Sequence, residues 1–191
     1  MNLANKLTVF RAAVVPFFVF FLLTGLCGAA GDWIALAIFI VAAFTDLFDG
    51  KLARKYNLVT NFGKFMDPLA DKLLVCSALI CLVYLDRLEP WIAIIIIARE
   101  FIISGFRLIA SDQGIVIAAS MWGKVKTVIQ MIMIGFLIGN VQWAIPVGGM
   151  EIKPFVIVSE ILKWTALALT IISLIDYMIK NRQVLQNAGE H

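Results

Sequence analysis

Histidine is almost missing from this sequence. The single one, His191, stands at the end of the chain. A terminal imidazole has no scaffold to hold a catalytic dyad or a zinc ion, so most histidine-based enzyme chemistry is excluded. Cysteine is nearly as scarce: Cys27, Cys76 and Cys81 lie in or beside apolar runs, without a Cys-x-x-Cys spacing. They read as small buried hydrophobes, and no thiol stands out as a nucleophile. Charge is thin as well, at 15% of residues against about 25% in soluble domains. The formal net charge of +3 is too small to argue for nucleic acid.

What is abundant is apolar side chain, 62% of 191 residues. It falls into six runs, roughly 7–26, 33–53, 66–85, 91–110, 121–140 and 155–179. Each is near the ~20 residues that a membrane-spanning helix needs. Gly28, Gly31, Pro90, Gly114, Pro146, Gly148 and Gly149 punctuate the gaps. The first run has a passing likeness to a signal peptide, but its apolar core is long, and Leu26 before Cys27 does not suit lipoprotein cleavage. No linker or composition break separates two domains. The expected fold is all-α, a single polytopic membrane domain over 1–191 with six transmembrane helices.

Six spans put both termini on one side. That side collects Lys6, Arg11, Lys51, Arg54, Lys55, Lys64, Lys72, Arg107, Lys124, Lys126, Lys180 and Arg182. The opposite loops carry Arg87 and Lys153, offset by Asp32, Asp86, Glu89 and Glu151. The excess of Lys and Arg places both termini in the cytoplasm of a multi-pass cell-membrane protein. Trp33, Trp91 and Trp143 then mark outer helix ends and Trp122 an inner one, as in an interfacial aromatic belt.

Against this background the stretch from Asp46 to Lys72, DLFDGKLARKYNLVTNFGKFMDPLADK, is anomalous. Asp46 and Asp49 share one helix face at i and i+3, with Gly50 and Ala53 beside them. Gly63, Asp67 and Asp71 follow at i+4 intervals along a face of the next helix. Glycine and alanine remove bulk where a ligand must approach. Four carboxylates in one pocket cannot all ionise without compensating cations. Oxygen donors without His or Cys suit Mg²⁺, Mn²⁺ or Ca²⁺. Two such ions would make a clamp for in-line displacement at phosphorus. The substrate would be a phosphate or pyrophosphate ester with its apolar part in the bilayer. Lys51, Arg54, Lys64 and Lys72 are at hand for phosphate charge. The bland alternative is four solvated loop aspartates paired with those lysines. A cation or proton transporter is the other class that places carboxylates in a membrane, but it predicts paired repeats, and the chain has no internal repeat.

The spacing Asp-x2-Asp-Gly-x2-Ala-Arg-x8-Gly-x3-Asp-x3-Asp, formed by Asp46, Asp49, Gly50, Ala53, Arg54, Gly63, Asp67 and Asp71, resembles the signature of the CDP-alcohol phosphotransferases. NKLTVFR near the N-terminus, ARE at 98–100 with ISGFR after it, and WGKVKT at 122–127 are similar to the phosphatidylglycerophosphate synthase branch of that family. The resemblance implies a six-helix membrane enzyme, usually dimeric, whose site opens to the cytoplasm. It implies that Asp46, Asp49, Asp67 and Asp71 hold two divalent cations, Mg²⁺ or Mn²⁺, with Asp71 completing the cluster or acting as base. It implies that Asp46, Gly50, Ala53, Arg54 and Gly63 border a CDP moiety. The expected reaction joins CDP-diacylglycerol and sn-glycerol 3-phosphate to give phosphatidylglycerophosphate and CMP. Relatives would use inositol phosphate, serine or phosphatidylglycerol as acceptor. Membrane lipids and a second copy of the chain are the other partners expected.

An acceptor that is itself a phosphate needs a basic pocket. Arg107, Lys124 and Lys126 fit it, because a descending fourth helix and an ascending fifth place them on the cytoplasmic level. Arg11 joins them, and Asn5 and Thr8 share its face at the inner end of the first helix as further site wall. Arg99 and Glu100 sit deep in the fourth run and need not pair, since adjacent helical residues point about 100° apart. Glu160 and Lys163 read as a helix-surface pair, and Gly135 and Gly139 as a close-packing face.

Overall fold

The computed structural model describes residues 3–24, 28–55, 61–112, 120–142, 144–147 and 150–182; at 3–9, 11, 29, 46–55, 61–71, 109, 111–112, 147 and 150–152 the description covers the backbone alone. Among these residues the chain forms six helices: α1 Leu3–Leu23, α2 Ala29–Lys55, α3 Asn61–Tyr84, α4 Pro90–Asp112, α5 Met121–Gly139 and α6 Pro154–Lys180. Each apolar run overlaps one helix. The largest difference is at α3, which begins at Asn61, five residues before the apolar run, and so takes in Gly63 with Asp67 and Asp71 on one helix, as their spacing implied. Apolar composition marks the stretch that suits lipid, whereas helical hydrogen bonding propagates beyond it.

One element was not anticipated. Between α5 and α6, β1 (Ile145–Val147) pairs antiparallel with β2 (Met150–Ile152), Ile145 opposite Ile152 and Val147 opposite Met150. The residues between the strands, Gly148 and Gly149, are those that favour a two-residue hairpin turn.

By length and composition, α5 (19 residues) and α6 (27 residues) are able to cross a bilayer. Shorter apolar stretches run from Ala12 to Leu23, Ala30 to Thr45 and Lys72 to Tyr84. The surface of α6 is inverted relative to a soluble protein. Ile157, Ile161, Trp164, Ile171, Ile172, Ile175 and Ile179 are exposed, while Lys163, Thr170 and Ser173 are buried. An apolar face turned outward over a polar interior suits lipid as solvent.

The chain divides into two compact units. The first comprises residues 1–88 and 134–140. Within it α1 packs against both α2 and α3, and α2 touches α3. Phe18 and Phe39 meet at 6.1 Å between ring centroids, over a core that includes Ala35, Leu74, Ala78, Leu79 and Leu82. Gly135 and Gly139 both face Leu36 of α2; a Cβ at either would lie 3.6 Å from its methyls, an ordinary contact distance. That pair of glycines therefore seats a side chain of the same protomer.

The end of α3 carries the electrostatic tie of this unit. Asp86 takes a left-handed conformation (φ 54°), and the Arg87 N–H donates back to the Leu82 carbonyl at 2.9 Å. This is a Schellman-type stop. It presents the Arg87 guanidinium, which donates to the Ile138 carbonyl at 2.9 Å and to Asp32 Oδ2 at 2.8 Å. One side chain thus satisfies an orphan carbonyl at the end of α5 and pairs with the first turn of α2.

The second unit comprises residues 89–133 and 141–191. In it α4 packs on α6. Lys163, expected as half of a surface pair, is instead buried at 4% exposure. Its ammonium donates to both oxygens of Glu89, at 2.8 and 3.0 Å, and lies 2.8 Å from Glu160. Burial of an ammonium requires such partners. The rings of Trp91 and Trp164 meet nearby, tilted, at 5.9 Å between centroids. Burial alone would raise the Glu89 pKa, but the hydrogen bond and charge of Lys163, with a backbone N–H, hold it below the ordinary glutamate range.

Two outcomes follow from these ties. Arg87→Met should lower stability by on the order of 2–3 kcal/mol, read as a lower midpoint in thermal unfolding of the detergent-solubilised protein. No change would mean that burial alone holds the three helix ends. For Glu89, the folded pKa lies below the unfolded one. Its contribution is fully present above the ordinary glutamate range and is lost as pH falls through the lowered value. The acid limb of the midpoint-versus-pH curve should therefore be shallower in Glu89→Gln, and an unchanged limb would contradict the pairing.

Candidate active site

The acidic signature lies on two helices of the first unit. Asp46 and Asp49 stand on α2, and Asp67 and Asp71 on α3. Both helices are regular through these positions, so each pair shares a face of its own helix. Asp49 is six residues from the end of α2, and Asp67 is six residues into α3. Residues 56–60 join the two helices, a reach of at most about 20 Å even when extended. So short a connection makes α2 and α3 antiparallel neighbours. At ~1.5 Å per residue, Asp49 and Asp67 then lie at a common depth of about 9 Å from the connected ends. Asp46 and Asp71 lie roughly one turn deeper. Gly50, Ala53 and Arg54 follow on α2, and Gly63 precedes on α3. The side chains of all these residues, and of Asn5, Thr8 and Arg11 on α1, are outside the described set.

The donor chemistry fits divalent cations. Four carboxylates grouped on two adjoining helices offer hard anionic oxygens and no competing soft ligand.

The basic residues expected at the acceptor belong to the second unit. Arg107 on α4 and Lys124 on α5 are exposed. Lys126 differs from expectation. It is fully buried, at 0% exposure, with its ammonium on Glu100 Oε1. An ammonium buried this far needs an anion beside it, so Lys126 stands behind the surface that Lys124 occupies. Arg99, also buried, donates from Nε to Ser173 Oγ at 3.2 Å and from Nη1 to Glu100 Oε1 at 3.4 Å. Sequence reasoning left Arg99 and Glu100 unassigned. They meet each other although they are adjacent, and their other partners are on α5 and α6, far along the chain, where no local spacing announces them. Asp176, also unassigned, pairs with Lys180 at 2.6 Å.

The family model for CDP-alcohol phosphatidyltransferases matches residues 1–172. The chain belongs to that family. Among its relatives, the Bacillus subtilis (strain 168) protein named CDP-diacylglycerol–glycerol-3-phosphate 3-phosphatidyltransferase is 40% identical over 207 residues, covering 98% of this chain and 99% of that one. A Rickettsia felis protein of the same name is 39% identical over 178 residues, covering 92% and 93% respectively. Membership of the CDP-alcohol phosphatidyltransferase family makes this chain a transferase of phospholipid biosynthesis.

Clustered carboxylates repel one another when no cation is bound. In EDTA, Asp→Asn at position 46, 49, 67 or 71 should therefore leave the thermal midpoint equal to or above wild type. Added Mg²⁺ or Mn²⁺ should stabilise wild type through linkage and leave each variant nearly unmoved. Equal stabilisation of wild type and all four variants would remove these aspartates from the metal site.

Proposed function

We propose that this chain transfers the phosphatidyl group of CDP-diacylglycerol to sn-glycerol 3-phosphate, releasing CMP and forming phosphatidylglycerophosphate. What carries the reading is the near full-length similarity to the Bacillus subtilis transferase of that name, together with the complete Asp46–Asp71 signature.

Asp46, Asp49, Asp67 and Asp71 would hold two divalent cations, Mg²⁺ or Mn²⁺. When bound, these neutralise charge on the pyrophosphate and on the departing CMP. The chain's own residues do the rest. Gly50, Ala53 and Gly63, with little side chain, leave room for the CDP moiety beside Asp46, and Arg54 pairs with its phosphate charge. Asp71 accepts the proton of the acceptor hydroxyl. That oxygen bonds to the phosphorus bearing diacylglycerol, and the bond from this phosphorus to the CMP oxygen breaks. Atoms and charge balance in a single displacement, with no covalent enzyme intermediate.

The acceptor phosphate falls to Arg107 and Lys124, both exposed, with Arg11, Asn5 and Thr8 of α1 as further wall. Lys126 acts from behind them. A guanidinium grips phosphate in a bidentate fork, and an ammonium adds a point charge. The protein is read as one domain with six spans, both termini cytoplasmic and the site open to the cytoplasm, which is what the Lys and Arg distribution supports. The diacylglycerol chains then stay in the bilayer while both soluble partners, acceptor and CMP, exchange with water. A homodimer is the assembly that the family resemblance favours.

The test is a product assay on purified protein with labelled CDP-diacylglycerol and a panel of acceptors. Glycerol 3-phosphate should give phosphatidylglycerophosphate and CMP, and EDTA should stop the reaction. CMP should not appear at a useful rate without acceptor. Preference for inositol phosphate, serine or phosphatidylglycerol would overturn the acceptor and leave the family chemistry standing. A stoichiometric burst of CMP without acceptor would overturn the single displacement.

A further inference from the structure

The second unit buries three charged or strongly polar contacts that the reaction does not directly need. Glu100 Oε1 accepts from Lys126 on α5 and, at 3.4 Å, from Arg99 Nη1. The Arg99 Nε reaches Ser173 of α6 at 3.2 Å, and Ser173 Oγ in turn donates to the Thr170 carbonyl at 3.0 Å. The other guanidinium nitrogen, Nη2, lies over Gly123; a Cβ built there would sit 3.3 Å from it. Gly123 belongs to the first turn of α5, where its N–H donates to Ser120 Oγ at 3.1 Å and the Lys124 N–H to the Ser120 carbonyl at 3.2 Å. One carboxylate on α4 thus fixes two cations, and those cations fix the start of α5 and the middle of α6.

Buried ionic contacts of this kind add little net stability against well-packed apolar groups; their best-attested use is to fix register. Two exposed cations depend on this register. Lys124 is two residues from Lys126, about 3 Å along α5. Arg107 is seven residues from Glu100, about 10 Å along α4. Both displacements run toward residues 113–119, which connect the two helices. We propose that Glu100 is a positioning residue for the acceptor: through Lys126 and Arg99 it sets the height of α5 against α4, and hence the separation of Lys124 from Arg107. Gly123 serves the same register by leaving space for the Arg99 guanidinium. This rests on the reading that Arg107 and Lys124 hold the acceptor phosphate.

The test compares Michaelis constants for both substrates in the purified full chain. Glu100→Gln keeps the side-chain size and removes the charge that holds both cations. It should raise KM for glycerol 3-phosphate roughly tenfold and leave KM for CDP-diacylglycerol within about twofold. Gly123→Ala keeps every charge and should shift the same constant in the same direction, so it carries the test if Glu100→Gln does not fold. Arg99→Lys retains the charge and lacks Nη2; the double variant Gly123→Ala/Arg99→Lys should therefore be no worse than Arg99→Lys alone. Strictly additive effects, or losses falling on kcat and on both constants alike, would overturn the positioning role. Arg107→Ala separates the two layers. If it raises KM for glycerol 3-phosphate while Glu100→Gln and Gly123→Ala do not, the positioning role falls and the acceptor reading stands. If Glu100→Gln raises that constant while Arg107→Ala does not, Arg107 does not hold the acceptor, and the positioning role, which acts through its separation from Lys124, falls together with the acceptor reading.

Discussion

Four carboxylates at the joined ends of two apolar helices are a problem in electrostatics before they are a catalytic device. Each is anionic in water at neutral pH, and when they are grouped their mutual repulsion raises the cost of ionising all of them. Regular helix through α2 and α3 keeps each pair on one face. Lys51, Arg54, Lys64 and Lys72 are the basic residues of the same stretch, and bound cations are the further compensation proposed here. The proposed chemistry rests on that constraint: cations held by these aspartates would make a seat for a pyrophosphate.

Much of the fold was legible because lipid and helix geometry leave a coarse imprint. Apolar runs near the length of a span mapped one to one onto helices, and the phase of Asp46 with Asp49 and of Gly63, Asp67 and Asp71 could be read from the helical repeat alone. What was not legible depended on partners distant in sequence. Lys163 with Glu160 looked like a surface pair because the i, i+3 spacing is local, whereas Glu89, which helps to bury it, is separated from it by the whole of α4 and α5 and the two strands. Lys126 was read as part of the acceptor pocket beside Lys124 because nothing in WGKVKT shows that Glu100 lies against it. The strands at 145–147 and 150–152 escaped notice because a hairpin this short has no room for a period-two pattern.

The two units handle charge in different ways. In the first, charge is gathered at helix ends, with Arg87 closing α5 and meeting Asp32, and with the aspartates at the opposite ends of α2 and α3. In the second, charge is carried inward: Arg99, Lys126 and Lys163 are all buried, each against an acidic partner, beneath faces of isoleucine and tryptophan. Ion pairs in such surroundings are costly to break, since removing one partner strands the other. They suit a protein that must keep helices in fixed register while lipid substrates come and go.

The central claim is that the aspartates of α2 and α3 assemble a two-ion site. The most direct measurement is Mn²⁺ binding to the purified full chain followed by electron paramagnetic resonance. The account predicts two ions per chain with spectra showing spin coupling between them, as expected of ions bridged at close range, about 3.5–4 Å. A single uncoupled ion per chain, or no binding beyond that of the quadruple Asp→Asn variant, would contradict it.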